Sequence, residues 1–137
     1  MNSPLSGLIT GSFLIILVLS GNTIDSAEPF FKEQNAFESG TEGYHTFRLP
    51  SVVVSNRGTV LAFAEAHSLH IFDSGDIDVA LKRSLDGGQT WEPLQVVWSE
   101  GQNACGGPTS VVDRETGRIW LYMRWNHGAD WIPELRM

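Results

Sequence analysis

The stretch S-L-D-G-G-Q-T-W, residues 84–91, constrains this chain more than any other. Two adjacent glycines inside a helix would cost about 1 kcal/mol each relative to Ala, so the segment is a turn. Before it, D-I-D-V-A-L-K-R sets Ile77, Val79 and Leu81 on one side and Asp76, Asp78, Ala80 and Lys82 on the other. That period of two belongs to a strand. After it, W-E-P-L-Q-V-V-W reads as the returning strand, with Pro93 marking an edge position or an irregular start. The unit is a β-hairpin. Asp86 can accept hydrogen bonds from N–H groups two or three residues on, Gly87 and Gly88 supply positive φ, Thr90 adds a further bond and Trp91 covers the turn. All of these roles are structural.

The same grammar runs on either side. S-V-V-V-S (51–55), the turn N-R-G, T-V-L-A-F-A-E-A (59–66) and a loop to Gly75 lead into the hairpin, giving four strands expected in one antiparallel sheet. A second set, T-S-V-V-D (109–113) and I-W-L-Y-M-R-W (119–125), turns through R-E-T-G-R. No helical period is found after residue 20. Strands at this spacing imply an all-β sandwich or propeller, with about one and a half four-stranded units in the chain. Residues 28–43 are polar with scattered Phe30, Phe31 and Phe37, and read as a lead-in without a period.

The chain has 137 residues, the size of one domain. Its run L-I-T-G-S-F-L-I-I-L-V-L-S at 8–20 has signal-peptide length and falls short of the roughly 20 apolar residues of a membrane span. The expected division is an export signal and leader at 1–27 and a folded part at 28–137, in a secreted or periplasmic protein with no stable membrane anchor. A buried N-terminal strand or helix is the alternative for the apolar run. A net charge of −7 argues against nucleic acid as partner, since a phosphate-binding face needs clustered Lys and Arg. The single Cys105, in N-A-C-G-G-P, has no internal disulfide partner and reads as a small packed residue in a loop.

Two places differ from scaffold. In Y-H-T-F-R-L-P, Arg48 stands between Phe47 and Leu49. It is either a surface residue with its stem over apolar neighbours or an anion clamp, because a guanidinium offers a permanent planar fork to a carboxylate. The loop H-S-L-H-I-F-D-S-G-D-I-D places Asp73, Asp76 and Asp78 close together. It is a solvated acidic loop, a weak calcium site without the spacing of an EF-hand, or the seat of a carboxyl acid. In the last reading Asp73, beside Ile71 and Phe72, holds and donates the proton.

Together these stretches resemble the sialidase family, the exo-acting glycosidases that remove terminal sialic acid. S-L-D-G-G-Q-T-W resembles the Asp-box found at hairpin turns of β-propeller blades, away from the active site. F-R-L-P is similar to the family's F/Y-R-I-P motif, whose Arg grips the substrate carboxylate; that position is Arg48. L-A-F-A-E-A with D-S-G-D-I-D-V-A-L-K-R-S resembles the stretch holding the acid/base Asp, which falls on Asp73. C-G-G-P-T-S-V-V-D-R-E-T-G-R-I-W-L resembles the opening of the second blade.

The resemblance implies a six-bladed β-propeller of sialidase type, with only about the first one and a half blades present, acting without metal or cofactor on sialylated glycoconjugates. Arg48, Asp73 and His67 would contact the substrate, His67 standing where the family usually carries Arg, and Gly107 where Asn is common. The resemblance also implies a Tyr nucleophile in place of the usual carboxylate, with a Glu as its base and two further Arg, all in later blades. Tyr44 and Tyr122 match no such motif. The chain is therefore expected to be the N-terminal part of an exported sialidase, without turnover by itself. A non-catalytic propeller binding glycan or protein, and a fragment left by a frameshift or early stop, are the alternatives.

Overall fold

A computed structural model describes residues 31–129. The apolar run at 8–20 and the tail W-I-P-E-L-R-M lie outside them. The described residues are all-β: β1 (Thr46–Val54), β2 (Val60–His67), β3 (Ile77–Ser84), β4 (Gln95–Trp98), β5 (Ala104–Val112) and β6 (Ile119–Asn126). Strands β1 to β4 form the expected antiparallel meander. β5 and β6 form a second antiparallel pair, joined to the first set by one parallel pairing of Ile77 with Ala104. The hairpin connections after β1, β3 and β5 share one end, and the loops after β2 and β4 share the other, as alternating strand directions require.

Two strands begin earlier than their sequence suggests. The expected strands start at 51 and 109, just after Pro50 and Pro108, yet β1 and β5 run through both prolines. Each absorbs them in a β-bulge. Arg48 pairs with Glu65, but the next pair is Ser51 with Phe63, so β1 uses one residue more than β2. β5 does the same, from Gly106 with Arg124 to Thr109 with Tyr122. Each bulge has a left-handed residue followed by Pro: Leu49 at φ 46° before Pro50, and Gly107 at φ 61° before Pro108. Cys105 is accordingly inside β5 and fully buried, not in a loop.

The extra residue has a consequence for which way side chains point. Period two means that an inserted residue exchanges the faces of everything before it. Arg48 therefore shares a face with Glu65 and Phe63, and Phe47 shares the opposite face with Ala66. On the Arg48 face, further along, Leu61, Phe63 and Leu81 are buried and pack with Val53 and with Ile119 and Leu121 of β6. Each such burial contributes about 1.5–3 kcal/mol.

The other face is lined by Ala62, Ala64, Ala66 and Ala80, none more than 1% exposed. There the lead-in, which has no sequence period, forms a cover. Phe37 and Tyr44 pack on the Phe47 ring at 5.0 and 5.6 Å, and Lys82 Nζ lies over the Phe37 ring and 2.7 Å from Glu42. The Tyr44 hydroxyl donates to Asp78 Oδ2 at 2.7 Å.

The turn at 84–91 is built as its residues require. Asp86 Oδ1 accepts from the N–H groups of Gln89 and Thr90, both at 2.9 Å, and Oδ2 accepts from the Thr90 hydroxyl. These bonds hold its carboxyl below the usual range, the Thr90 hydroxyl contributing most. The β5–β6 turn repeats the device: Asp113 accepts from the N–H groups of Glu115 and Thr116 and from the Thr116 hydroxyl.

Candidate active site

The end of the sheet opposite the Asp86 turn brings two predicted residues into contact. Arg48 is the last residue before the β1 bulge. Its neighbour Leu49 is held in a left-handed conformation unfavourable for a side-chain-bearing residue, the kind of strain that gathers at functional sites. From there Arg48 Nη1 donates to the Ile71 carbonyl at 2.6 Å and to Asp73 Oδ1 at 2.7 Å. The Arg48 and Asp73 side chains are 34% and 43% exposed, so the pair is open to solvent. The apolar shelter expected of Ile71 and Phe72 does not form, since both are more than half exposed. Arg48 is what meets the Asp73 carboxylate.

The loop bearing Asp73 is clipped at its base. The Ser68 N–H donates to the Asp76 carbonyl, and the Gly75 N–H to the Gly128 carbonyl at 2.8 Å. Gly128 in turn donates its N–H to Asn103 Oδ1 at 3.1 Å. A Cβ at Gly128 would overlap the Gln102 carbonyl, so this close approach requires glycine.

His67 takes a different place from the one expected. It ends β2, the strand between β1 and β3, and is 1% exposed, so its ring offers no surface to a substrate. Its Nε2 is bonded to Glu65 Oε2 at 3.1 Å, and its Nδ1 is buried without a partner among the described residues. Glu65, a residue not singled out from sequence, is the centre of this end of the sheet. Fully buried, it accepts from the Gly107 N–H at 2.7 Å and pairs with Arg124 Nη2 at 3.2 Å. Burial pushes its carboxyl up, but the bonds from His67, Gly107 and Arg124 outweigh that and hold it below the ordinary value. Gly106 makes the space: a Cβ there would overlap the Glu65 carboxylate. The signal was present in β2, where Glu65 continues the alternation of Leu61 and Phe63 on a buried face, and a buried charge requires partners. Among the described residues, no group of three or more His, Cys, Asp or Glu is arranged to hold a metal ion.

No family model matches the chain. Individual relatives do. An exo-alpha-sialidase of Aspergillus fumigatus is 34% identical over 131 residues, 80% of this chain. One of Arthroderma benhamiae is 41% identical over 93 residues, 64% of this chain, and a sialidase of Bacteroides fragilis is 33% identical over 99 residues, 66% of it. A solved Hadza microbial sialidase superposes with a TM-score of 0.61 at 31% identity over 67% of this chain. The chain belongs to the sialidase family. It spans 32%, 22% and 18% of those three relatives and 20% of the solved sialidase. Its open sheet of six strands matches part of a sialidase β-propeller.

Proposed function

We propose that this sialidase-family chain supplies the carboxylate-holding and proton-donating side of a site that hydrolyses terminal sialic acid from glycoconjugates. Arg48 binds the sugar carboxylate and Asp73 is the acid/base. The observation that carries the reading is the open contact of Arg48 with Asp73 at 2.7 Å, on the loop end of the sheet. A glycoside seated by its carboxylate on the Arg48 fork would lie beside a carboxyl within reach of its leaving oxygen, the geometry that general acid catalysis needs. Among the described residues Nη1 alone carries the bonds of Arg48, which leaves Nε and Nη2 for a bidentate partner.

Neither tyrosine of the chain is suited to be the nucleophile. Tyr44 is bound to Asp78, and burial and that bond push its pKa upward; Tyr122 is 77% exposed on β6. The chain is proposed to be exported, on the strength of the run at 8–20.

The test is titration of the chain with sialic acid and with its methyl ester, whose carboxylate is masked. Saturable binding of the acid, absent for the ester and lost in Arg48→Ala, is the expected result. Equal binding of acid and ester would remove the assignment of Arg48.

A further inference from the structure

Two guanidinium groups serve the same face of the first sheet, and both have donors to spare. Arg48 and Glu65 are cross-strand partners, so their side chains leave β1 and β2 on one face with Cβ atoms about 5 Å apart. Arg124 reaches the Glu65 carboxylate from β6, in the second strand pair. It uses only Nη2 for that bond, and Nε and Nη1 have no partner among the described residues. Its side chain is 34% exposed, the same as Arg48. The stem lies against Gly107, where a Cβ would sit 3.5 Å from Arg124 Cγ, Cδ and Nε.

A cation needed only to neutralise Glu65 could be buried with it, or could be a lysine. Here the charge is fixed by a buried carboxylate, the side chain is one-third exposed, and two N–H-bearing nitrogens, Nε and Nη1, have no partner among the described residues. An Arg–Glu pair has no net charge, so the remaining N–H donors suit a neutral acceptor oxygen better than a second carboxylate.

We infer that Arg124 is a second ligand-holding residue at this end of the sheet: with the carboxylate of an acidic sugar on Arg48, Arg124 donates a free N–H to a hydroxyl or carbonyl oxygen of the same molecule. The inference rests on the reading of Arg48 given above. The two strand pairs then meet the ligand together, one through Arg48 and the other through Arg124.

The experiment is a titration of the isotope-labelled full chain with sialic acid into the range where millimolar affinity saturates, following the Nε–Hε signals of Arg48 and Arg124. Each signal is assigned by its loss in Arg48→Lys and Arg124→Lys. Both signals moving with one dissociation constant is the expected result, together with an affinity about tenfold weaker in Arg124→Lys at unchanged melting temperature. A charge-assisted hydrogen bond is worth that much. If the Arg48 signal moves and the Arg124 signal does not, the inference fails and Arg48 keeps its assignment. If neither moves, both readings fail. Unchanged affinity in Arg124→Lys would also overturn the inference, since the fork would then be doing nothing a point charge cannot.

Discussion

Replacing Glu65 separates the contribution of its charge from that of its shape. The carboxylate is fully buried and receives three donors: His67 Nε2, the Gly107 N–H and Arg124 Nη2. Glu65→Ala leaves the Gly107 N–H and Arg124 without an acceptor and opens a void. Breaking a buried pair costs about 3–5 kcal/mol. Because Arg124 is one-third exposed and water can compensate it in part, the lower half of that range is expected. Glu65→Gln keeps the volume and an acceptor for Gly107 but reduces charge-assisted bonds to neutral ones, a loss of about 1–2 kcal/mol.

The assay is urea unfolding of the chain and both variants from pH 7 downward. The folded-state carboxyl lies below its ordinary value of 4.5, so its contribution is present above that value and is lost as pH falls through the folded one. The stability difference between the unaltered chain and Glu65→Gln is therefore full near neutrality and shrinks under acid. A difference that stays constant across that window, or a Glu65→Gln variant as unstable as Glu65→Ala, would refute the argument that charge holds this end of the sheet.

Asp86→Ala should lower the melting temperature and leave sialic acid binding unchanged, because its partners Ser84, Gln89 and Thr90 lie at the far end of the sheet. Its carboxyl is held down by the Thr90 hydroxyl first, so the destabilisation is present at neutral pH and fades as pH falls below the ordinary 3.8. Hydrolysis of a fluorogenic sialoside by the chain should not exceed that of an Asp73→Ala control, since Tyr44 is engaged by Asp78 and Tyr122 lies on an outer surface. Turnover above the control would identify a nucleophile in the residues at hand.

Strands and turns were legible because their signals are local. Alternation in 77–81 and 60–66, and the Asp86 turn chemistry, depend on neighbours in sequence alone. Arg48 and Asp73 meet across 25 residues, a separation that no local pattern encodes. Where the reading erred, the missing information was register. The expected strands at 51–55 and 109–113 stop short of Pro50 and Pro108, each of which a bulge places inside a strand, and Cys105 reads as a loop residue for the same reason. His67 and Glu65 are one alternation apart in sequence, and the groups that meet the Glu65 carboxylate besides His67 come from β5 and β6, far along the chain. The lead-in has no period because it is a cover, held by Phe37, Glu42 and Tyr44 at irregular intervals.

The two bulges have a consequence beyond the local pairing. Both hold one backbone shape, left-handed residue then Pro, and both aim the preceding position at the same region: Arg48 in the first strand pair, Gly106 in the second. The shape is a socket, and the side chain is what has been fitted to it. In the first socket an arginine projects; in the second nothing does, and the Glu65 carboxylate occupies the room. Because Leu49 and Gly107 carry the turn, one backbone shape presents a side chain in the first pair and makes room for one in the second. Glu65 ties the two choices together, since its carboxylate fits only while position 106 carries no Cβ.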